Sequence, residues 1–164
     1  MPGLTIRQGT EADIPPILCF IKELAEYEHM SDQVTADETL LRDSLFLRKM
    51  AEVIIGELDG QPVAFALYFY NFSTFLGKPG LYLEDLFVKP AYRNRGIGKR
   101  MIAYLARRAV EQGCGRMEWS CLDWNAPSIA FYRETLHAQA MEEWTTYRLT
   151  GETLQAQAAA GNDG

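Results

Sequence analysis

A short run rich in arginine and glycine, Arg93-Asn94-Arg95-Gly96-Ile97-Gly98, joins two stretches of different periodicity. An apolar run from Leu81 to Val88 precedes it, and apolar residues at helical spacing follow it from Ile97 to Glu111. The run predicts a strand-to-helix turn, in which glycine lets the backbone approach a ligand and the first helical N–H groups attract an anion. Two interpretations stay open: a pyrophosphate site for a phosphorylated cofactor, or a plain turn with two solvated arginines.

Two familiar nucleotide-binding patterns do not match this turn. A P-loop needs Ser or Thr after Gly-Lys, yet Gly98-Lys99 is followed by Arg100. A dinucleotide fingerprint needs a third glycine three residues after the second, and Met101 stands there. The spacing alone therefore does not identify the cofactor.

The composition describes an ordinary globular domain. The chain has 164 residues, of which 48% are hydrophobic, enough for one domain with its own core. Its net charge of −6 disfavours nucleic acid as a partner, since nucleic-acid-binding proteins usually carry a basic face. The acidic balance is compatible with a cationic substrate, although many acidic proteins are simply soluble.

The N-terminus and the cysteines give expectations about compartment and metal content. A strand pattern begins at Leu4 without a leader before it, and no apolar run is long enough to cross a bilayer. We therefore expect a cytoplasmic protein with no membrane partner. Cys19, Cys114 and Cys121 lack metal-ligand spacing and the chain has two histidines, so we expect no metal.

Periodicity predicts elements in the order β-α-α-β-β-β-α-β-α-β. The predicted strands are Leu4–Gln8, Ala51–Leu58, Pro62–Phe72, Leu81–Val88, Met117–Leu122 and Met141–Leu149. The predicted helices run from the cap at Thr10 to Tyr27, from Asp37 to Leu47, from Ile97 to Glu111 and from Asn125 to Leu136. Asp59-Gly60 predicts a tight hairpin. The order predicts one α/β domain over residues 1–150 with a mixed sheet, followed by a flexible tail over residues 151–164.

This order, with Arg-x-x-Gly-x-Gly directly after the fourth strand, resembles the GNAT superfamily of N-acetyltransferases. Further stretches are similar to its diamine (spermidine/spermine) and thialysine N-acetyltransferase group. They are Ile21 to Glu28, Tyr82 to Asp85, Tyr92-Arg93, Gly96 to Gly98, Asp123 to Asn125 and Phe131-Tyr132. The resemblance spans Ile6 to about Leu149. It implies the GNAT fold, a mostly antiparallel twisted sheet flanked by helices, and acetyl-coenzyme A as cosubstrate without a metal.

The resemblance also implies where acetyl-coenzyme A binds. The pyrophosphate would lie on the backbone N–H groups of Arg93, Asn94, Arg95, Gly96, Ile97, Gly98 and Lys99. The pantetheine arm would pair like an added strand with Leu86, Phe87 and Val88. Asn125 would hold the arm from the opposite side, although Asn125 is also a plausible helix cap. Tyr132 would meet the sulfur of the cosubstrate.

A proton acceptor and a proton donor follow from the same resemblance. An amine attacks a thioester only when neutral, yet an alkylammonium has a pKa of about 10, so a base must take its proton. We expect Glu84 to be that base, directly or through a water, and Asp85 to help hold the cation. Neighbouring strand residues face opposite sides, so both line one site only if the strand is bulged. Tyr132 matches the general acid for the leaving thiolate, and an N–H near Phe87 or Val88 would polarise the carbonyl.

The residues that bear on the identity of the acceptor amine are less specific. Glu26 and Glu28 close the first helix and could meet a cation, or they could simply be a solvated helix end. Polyamine acetylators of the group place an acidic residue where this chain has Ser73, and Ser73-Thr74 looks more like the thialysine-acetylating branch. Losing a carboxylate weakens selection for a second ammonium, so we expect a thialysine- or lysine-like amine or a short diamine. A protein amine as acceptor and a non-catalytic acyl-coenzyme A sensor stay open as alternatives.

One position departs from the group. The tyrosine helix is usually followed by Leu-Gly-Ala, and this chain has Leu136-His137-Ala138. A left-handed cap costs more with histidine than with glycine, so we expect the helix end to differ. The group alone implies a homodimer, in which Trp144 either shapes the amine pocket or packs in a core.

Overall fold

Alternating apolar residues build a five-stranded sheet in the first part of the chain. A computed structural model describes residues 3–161, which fall into two units that divide between Ser120 and Cys121. The strands of the first unit are β1 Leu4–Gln8, β2 Glu52–Leu58, β3 Gln61–Ser73, β4 Lys78–Val88 and β5 Arg116–Trp119. Its helices are α1 Ile14–Tyr27, α2 Glu38–Leu41, which continues as a π-helical turn over Arg42–Leu47, and α3 Ile97–Glu111.

The sheet has the strand order β1-β2-β3-β4-β5. The first three neighbouring pairs are antiparallel, and β4 with β5 is the parallel pair. This arrangement confirms the predicted mixed, mostly antiparallel sheet. A parallel pair needs a crossover connection, which α3 supplies between β4 and β5.

The sheet separates two apolar cores. Neighbouring residues of one strand face opposite sides, so Ile54 packs with Met101 and Leu105 of α3, whereas Ile55 packs with Ile17 of α1. On the α1 side, Phe20 stacks on the ring of Phe65 with 5.1 Å between ring centroids. Strands buried on both faces read as nearly continuous apolar runs, which explains the sequences of β2 and β3.

Arg7 of β1 ties the start of α1 to the sheet. Its guanidinium donates from Nη1 and Nη2 to the two carboxylate oxygens of Asp13, both at 2.8 Å, and from Nε to Glu57 Oε1 at 2.7 Å. Asp13 also accepts the backbone N–H of Thr10 at 2.8 Å, which completes a capping box. The hydrogen bonds from Arg7 lower the pKa of this buried carboxyl and outweigh burial, which acts in the opposite direction.

Asp13→Asn should lower the free energy of unfolding by about 2 kcal/mol at neutral pH. The folded-state pKa of Asp13 lies below the unfolded value of about 4, so its contribution is present above that pH and is lost as pH falls through the folded pKa. Urea unfolding at neutral pH and at about pH 3 should therefore show a deficit that shrinks in acid. Asp43→Asn is the matched control, because the Asp43 side chain forms an exposed pair with Arg48 at 3.8 Å. Its substitution should cost less than about 0.5 kcal/mol. A pH-independent deficit in Asp13→Asn would contradict this account.

The second unit, residues 121–161, begins with α4 Ala126–Ala130, which continues as a π-helical turn over Phe131–Thr135. The predicted strand Met141–Leu149 is wrong: within the described residues this segment joins no sheet, and all of it is exposed. Its aromatic and β-branched residues favour a strand only where they pack on a pleated, half-buried surface.

The end of the chain contains one more helix. Residues 151–160, predicted as part of a tail, form α5 Gly151–Ala160, in which every residue is exposed. Alanine is the strongest helix former, which accounts for the helix. Flexibility of the tail stays a prediction, and residues 162–164 lie outside the described residues. None of the helices within residues 3–161 combines the length and the apolar character needed to cross a membrane.

Candidate active site

A β-bulge at Glu84 reverses the facing of the side chains along β4. Leu67 of β3 pairs with Asp85 and the next residue, Tyr68, pairs with Leu83, so Glu84 is the extra residue. Regular alternation from Leu83 would place Asp85 on the α3 side, within an apolar core. The bulge instead places Asp85 on the α1 side, the side on which Phe87 is buried. The bulge expected from the sequence is therefore present.

Beyond the bulge, β4 continues without β5. The two strands pair only from Gly80 to Leu83. The N–H of Lys89 donates to Val63 O at 2.9 Å, so antiparallel alternation turns the backbone groups of Phe87 towards β3 and those of Leu86 and Val88 away from it. Of the two N–H groups predicted to polarise a carbonyl, only that of Val88 faces this outer edge.

The bulge also gathers carboxylates. Glu84 is exposed and Asp85 is half-buried. Burial, together with the negative charges of Glu84 and Glu28, raises the pKa of Asp85 to about 6. Burial also raises the pKa of Glu28, which follows α1 directly, whereas Glu26 is exposed on that helix. Glu28, Glu84 and Asp85 form a negative region that would attract a cation.

The arginine-glycine turn leaves space at the start of α3. Gly96 is the N-cap with a φ of +80°, and Asn94 has a φ of +62°. No side chain caps the helix there, so its first N–H groups point outwards. A Cβ placed on Gly98 would meet only Val88, at 3.8 Å, and Lys99 follows on the exposed side. Free space, unpaired N–H groups and a nearby positive charge suit a pyrophosphate.

Two arginines and an isoleucine of this turn have different surroundings. Arg93 turns its side chain inwards and donates from Nε to Val88 O at 2.8 Å. Arg95 is exposed, with its guanidinium 5.5 Å from the centre of the Tyr92 ring. Ile97 is buried and anchors the first turn of α3 in the core.

The hairpin between β3 and β4 contains the residues predicted to select the amine. Ser73 is buried, and its Oγ accepts the N–H of Leu76 at 3.3 Å, which closes the hairpin. Thr74 is exposed. The structure therefore gives Ser73 a structural role in the loop, one that its sequence position did not indicate.

The second unit contains Asn125 and Tyr132. Asn125 is buried and caps α4, with Oδ1 accepting the N–H of Ser128 at 3.4 Å. Tyr132 is half-buried, and its ring centre lies 5.9 Å from that of Phe131. That the end of this helix differs from that of the group stays a prediction. His137 takes the left-handed conformation itself, with a φ of +57°.

His137→Gly should raise the free energy of unfolding by about 1 kcal/mol, because glycine adopts positive φ without the contact between Cβ and the carbonyl oxygen. Chemical denaturation, monitored for the second unit, measures the change. Ala138→Gly is the matched control, since Ala138 is the next residue and does not have a positive φ. That variant should be neutral or less stable than the parent. Equal effects of the two substitutions would show that the left-handed conformation stores no strain.

Within residues 3–161, no group of three or more His, Cys, Asp or Glu side chains is placed to hold a metal ion. The candidate site in the first unit consists of the uncapped start of α3, the edge of β4 that is free of β5, and the carboxylate region at the bulge.

Comparison with known proteins gives the family. The profile of the Acetyltransferase (GNAT) family matches residues 19–137. A thialysine N-epsilon-acetyltransferase of Sus scrofa is 36% identical, over 94% of this chain and 97% of its own length. An L-ornithine N5-acetyltransferase of Arabidopsis thaliana is 40% identical, over 70% of this chain and 47% of its own length.

A solved structure supports the same assignment at the level of the fold. An integron cassette protein from V. cholerae superposes with a TM-score of 0.80 at 26% identity, over 96% of this chain and 99% of its own. Family profile, relatives and fold therefore agree: this chain belongs to the GNAT family of acetyltransferases, which take their acetyl group from acetyl-coenzyme A.

Proposed function

We propose that this enzyme acetylates the primary amine of a small molecule, with a lysine-like amine such as thialysine, or a short diamine, as the acceptor. The observation that carries the proposal is the bulge of β4, which brings Glu84 and Asp85 together with Glu28. The names of the two relatives add support, since both refer to the side-chain amine of an amino acid.

Acetyl-coenzyme A supplies the acetyl group as a thioester. The backbone N–H groups from Asn94 to Lys99 are proposed to hold its pyrophosphate, in keeping with the uncapped start of α3. The N–H of Arg93, which was expected to join them, donates instead to Pro90 O at 3.3 Å. Leu86 directs its backbone groups away from β3, which suits pairing with the amides of the pantetheine arm, whereas the outward carbonyl of Val88 accepts from Arg93. Asn125 is proposed as a further contact on the basis of the family resemblance.

Glu84 takes a proton from the ammonium in the proposed reaction, either directly or through a water. The neutral nitrogen then bonds to the acetyl carbon, and the carbon–sulfur bond breaks. The nitrogen releases its second proton to solvent, which leaves a neutral amide and restores the proton that Tyr132 gives up. The N–H of Val88 stabilises the negative charge on the carbonyl oxygen. Tyr132 gives a proton to the leaving thiolate, a role that rests on the resemblance to the family's tyrosine.

Selection of the acceptor follows from the carboxylates. Asp85 and Glu28 attract the ammonium, and Glu26 with Thr74 are proposed to contact the rest of the molecule. Ser73 replaces an acidic residue and is held by its own hairpin, so a second distant ammonium gains little there. An acceptor with one reacting amine and a short chain therefore fits better than spermine.

An amine panel tests the proposal. The pure protein is mixed with acetyl-coenzyme A and thialysine, lysine, ornithine, putrescine, spermidine or spermine, and thiol release is followed. We expect kcat/KM for the best short acceptor to exceed that for spermine by about tenfold. Absence of release with every amine, despite tight coenzyme A binding, would favour the sensor. Acetylation of peptides alone would favour a protein acetyltransferase.

Assembly and compartment complete the proposal. We propose a homodimer, by analogy with the diamine acetyltransferase group, and light scattering of the pure protein tests it. We also propose a cytoplasmic location, the compartment in which the thiols of Cys19 and Cys114 stay reduced. No nucleic acid or membrane partner is proposed.

A further inference from the structure

Arg93 joins three parts of the first unit through one side chain. Its Nε donates to the carbonyl of Val88 at 2.8 Å. Its Cζ lies 5.1 Å from the ring centre of Tyr27, the last residue of α1, and 5.1 Å from that of Phe87 in β4. A guanidinium between two rings is attracted to both by the cation–π interaction. The residue that opens the pyrophosphate turn is thus fastened to β4 and to α1.

The carbonyl that Arg93 binds belongs to the outer edge of β4. The N–H and C=O of Val88 both point away from β3, and the pairing with β5 ends at Leu83. The hydrogen bond from Arg93 therefore holds the carbonyl of Val88 and restrains the short length of backbone that also carries its N–H. That N–H is the group proposed to polarise the thioester carbonyl.

The other contact of Arg93 lies beside the amine region. Tyr27 immediately precedes Glu28, whose charge acts on Asp85 across the α1 side of the sheet. Phe87 is buried on the same side, two residues after Asp85. Displacement of the guanidinium would free the last turn of α1 and the end of β4 together.

We propose that Arg93 is a positioning residue that couples the two substrate sites, so that the turn for acetyl-coenzyme A sets the place of the carboxylates for the amine. This inference rests on the proposed function. It differs from the simple expectation for an arginine in such a turn, which is neutralisation of phosphate charge. A phosphate contact would affect acetyl-coenzyme A alone, whereas a coupling residue affects both substrates.

Arg93→Gln and Arg93→Lys test the coupling, with Arg95→Gln as the matched control in the same turn. Thermal unfolding first identifies the variants that fold like the parent. Arg93→Gln should raise the KM for the amine and the KM for acetyl-coenzyme A, each by roughly tenfold. Arg93→Lys should raise both KM values less than Arg93→Gln does. It should not restore the parent values, because an ammonium lacks the planar group that fits between two rings. Arg95→Gln should raise the KM for acetyl-coenzyme A alone. An unchanged amine KM in Arg93→Gln would overturn the proposal.

Two substitutions of Tyr27 provide an independent test on the α1 side. Tyr27→Phe keeps an aromatic face for the guanidinium, and Tyr27→Leu removes it. Tyr27→Leu should raise the amine KM several times more than Tyr27→Phe does. Equal amine KM values in the two variants would count against the coupling, even if Arg93 variants failed to fold.

Hydrogen exchange gives a readout that does not depend on turnover. Coenzyme A added to the parent should slow exchange in β4 and also in the last turn of α1. In Arg93→Gln, it should slow exchange in β4 only. If coenzyme A slows exchange in α1 of the parent but no amine is turned over, the proposed function is contradicted and the coupling is still supported. Equal protection of α1 in parent and variant would remove the coupling.

Discussion

Replacing Glu84 by glutamine should slow acetyl transfer at neutral pH by roughly 100-fold or more, because the proposed proton acceptor is lost while the size of the side chain is kept. A primary ammonium has a pKa of about 10, so the proposed mechanism needs this carboxylate to produce the reactive amine. The deficit should shrink towards about pH 9, where more neutral amine forms in solution. Thiol release at saturating acetyl-coenzyme A, followed across this pH range, measures the effect.

Two further variants separate this role from a general loss of negative charge. Glu111→Gln is the control, because Glu111 is exposed at the end of α3 and lies outside the candidate site. It should react at the rate of the parent. Asp85→Asn should raise the amine KM more than it lowers kcat, since Asp85 is proposed to hold the cation. A deficit in Glu84→Gln that does not vary with pH would refute the base role.

Tyr132→Phe should slow thiol release by roughly 100-fold while coenzyme A still binds, because the ring is kept and the proposed proton donor is lost. A free phenol has a pKa of about 10, so a phenol is a suitable donor at neutral pH for a thiolate whose pKa is about 8.5. A thiolate of lower pKa needs this proton less. An acetyl thioester with a more acidic thiol should therefore react with a smaller difference between parent and variant.

Tyr147→Phe is the matched control for the tyrosine experiment. Tyr147 belongs to the same unit and is 91% exposed, so loss of its hydroxyl should leave the rate unchanged. A Tyr132→Phe variant that reacts like Tyr147→Phe would reject the proton-donor role. The same result would redirect the search to a water or to a coenzyme A group as the proton source.

Local sequence signals predicted most of the first unit. The strand Leu4–Gln8 has the predicted bounds. The hairpin at Asp59-Gly60 is present, with φ values of +50° and +80° that match the positive φ of its turn type. Each of these features depends on residues close together in the chain, so the local sequence is sufficient to predict it.

Features that depend on contacts between residues far apart in the sequence were predicted less completely. The need for a bulge near Glu84 followed from the chemistry, but its position depends on the register between β3 and β4. The inward turn of Arg93 depends on Tyr27, which is far from it in sequence. The segment Met141–Leu149 has strand composition but no strand beside it among the described residues, so the composition alone misled.

Glu84 is the extra residue of the bulge, so β4 could pair with β3 without it. Deletion of this residue would restore regular alternation and leave Leu83, Asp85 and Phe87 on the faces they now occupy. A shortened chain should therefore fold with its two cores intact. In descent, such a strand could gain or lose the carboxylate that is proposed as the base by a single insertion or deletion. An inactive descendant of this kind would have a regular β4 that is one residue shorter.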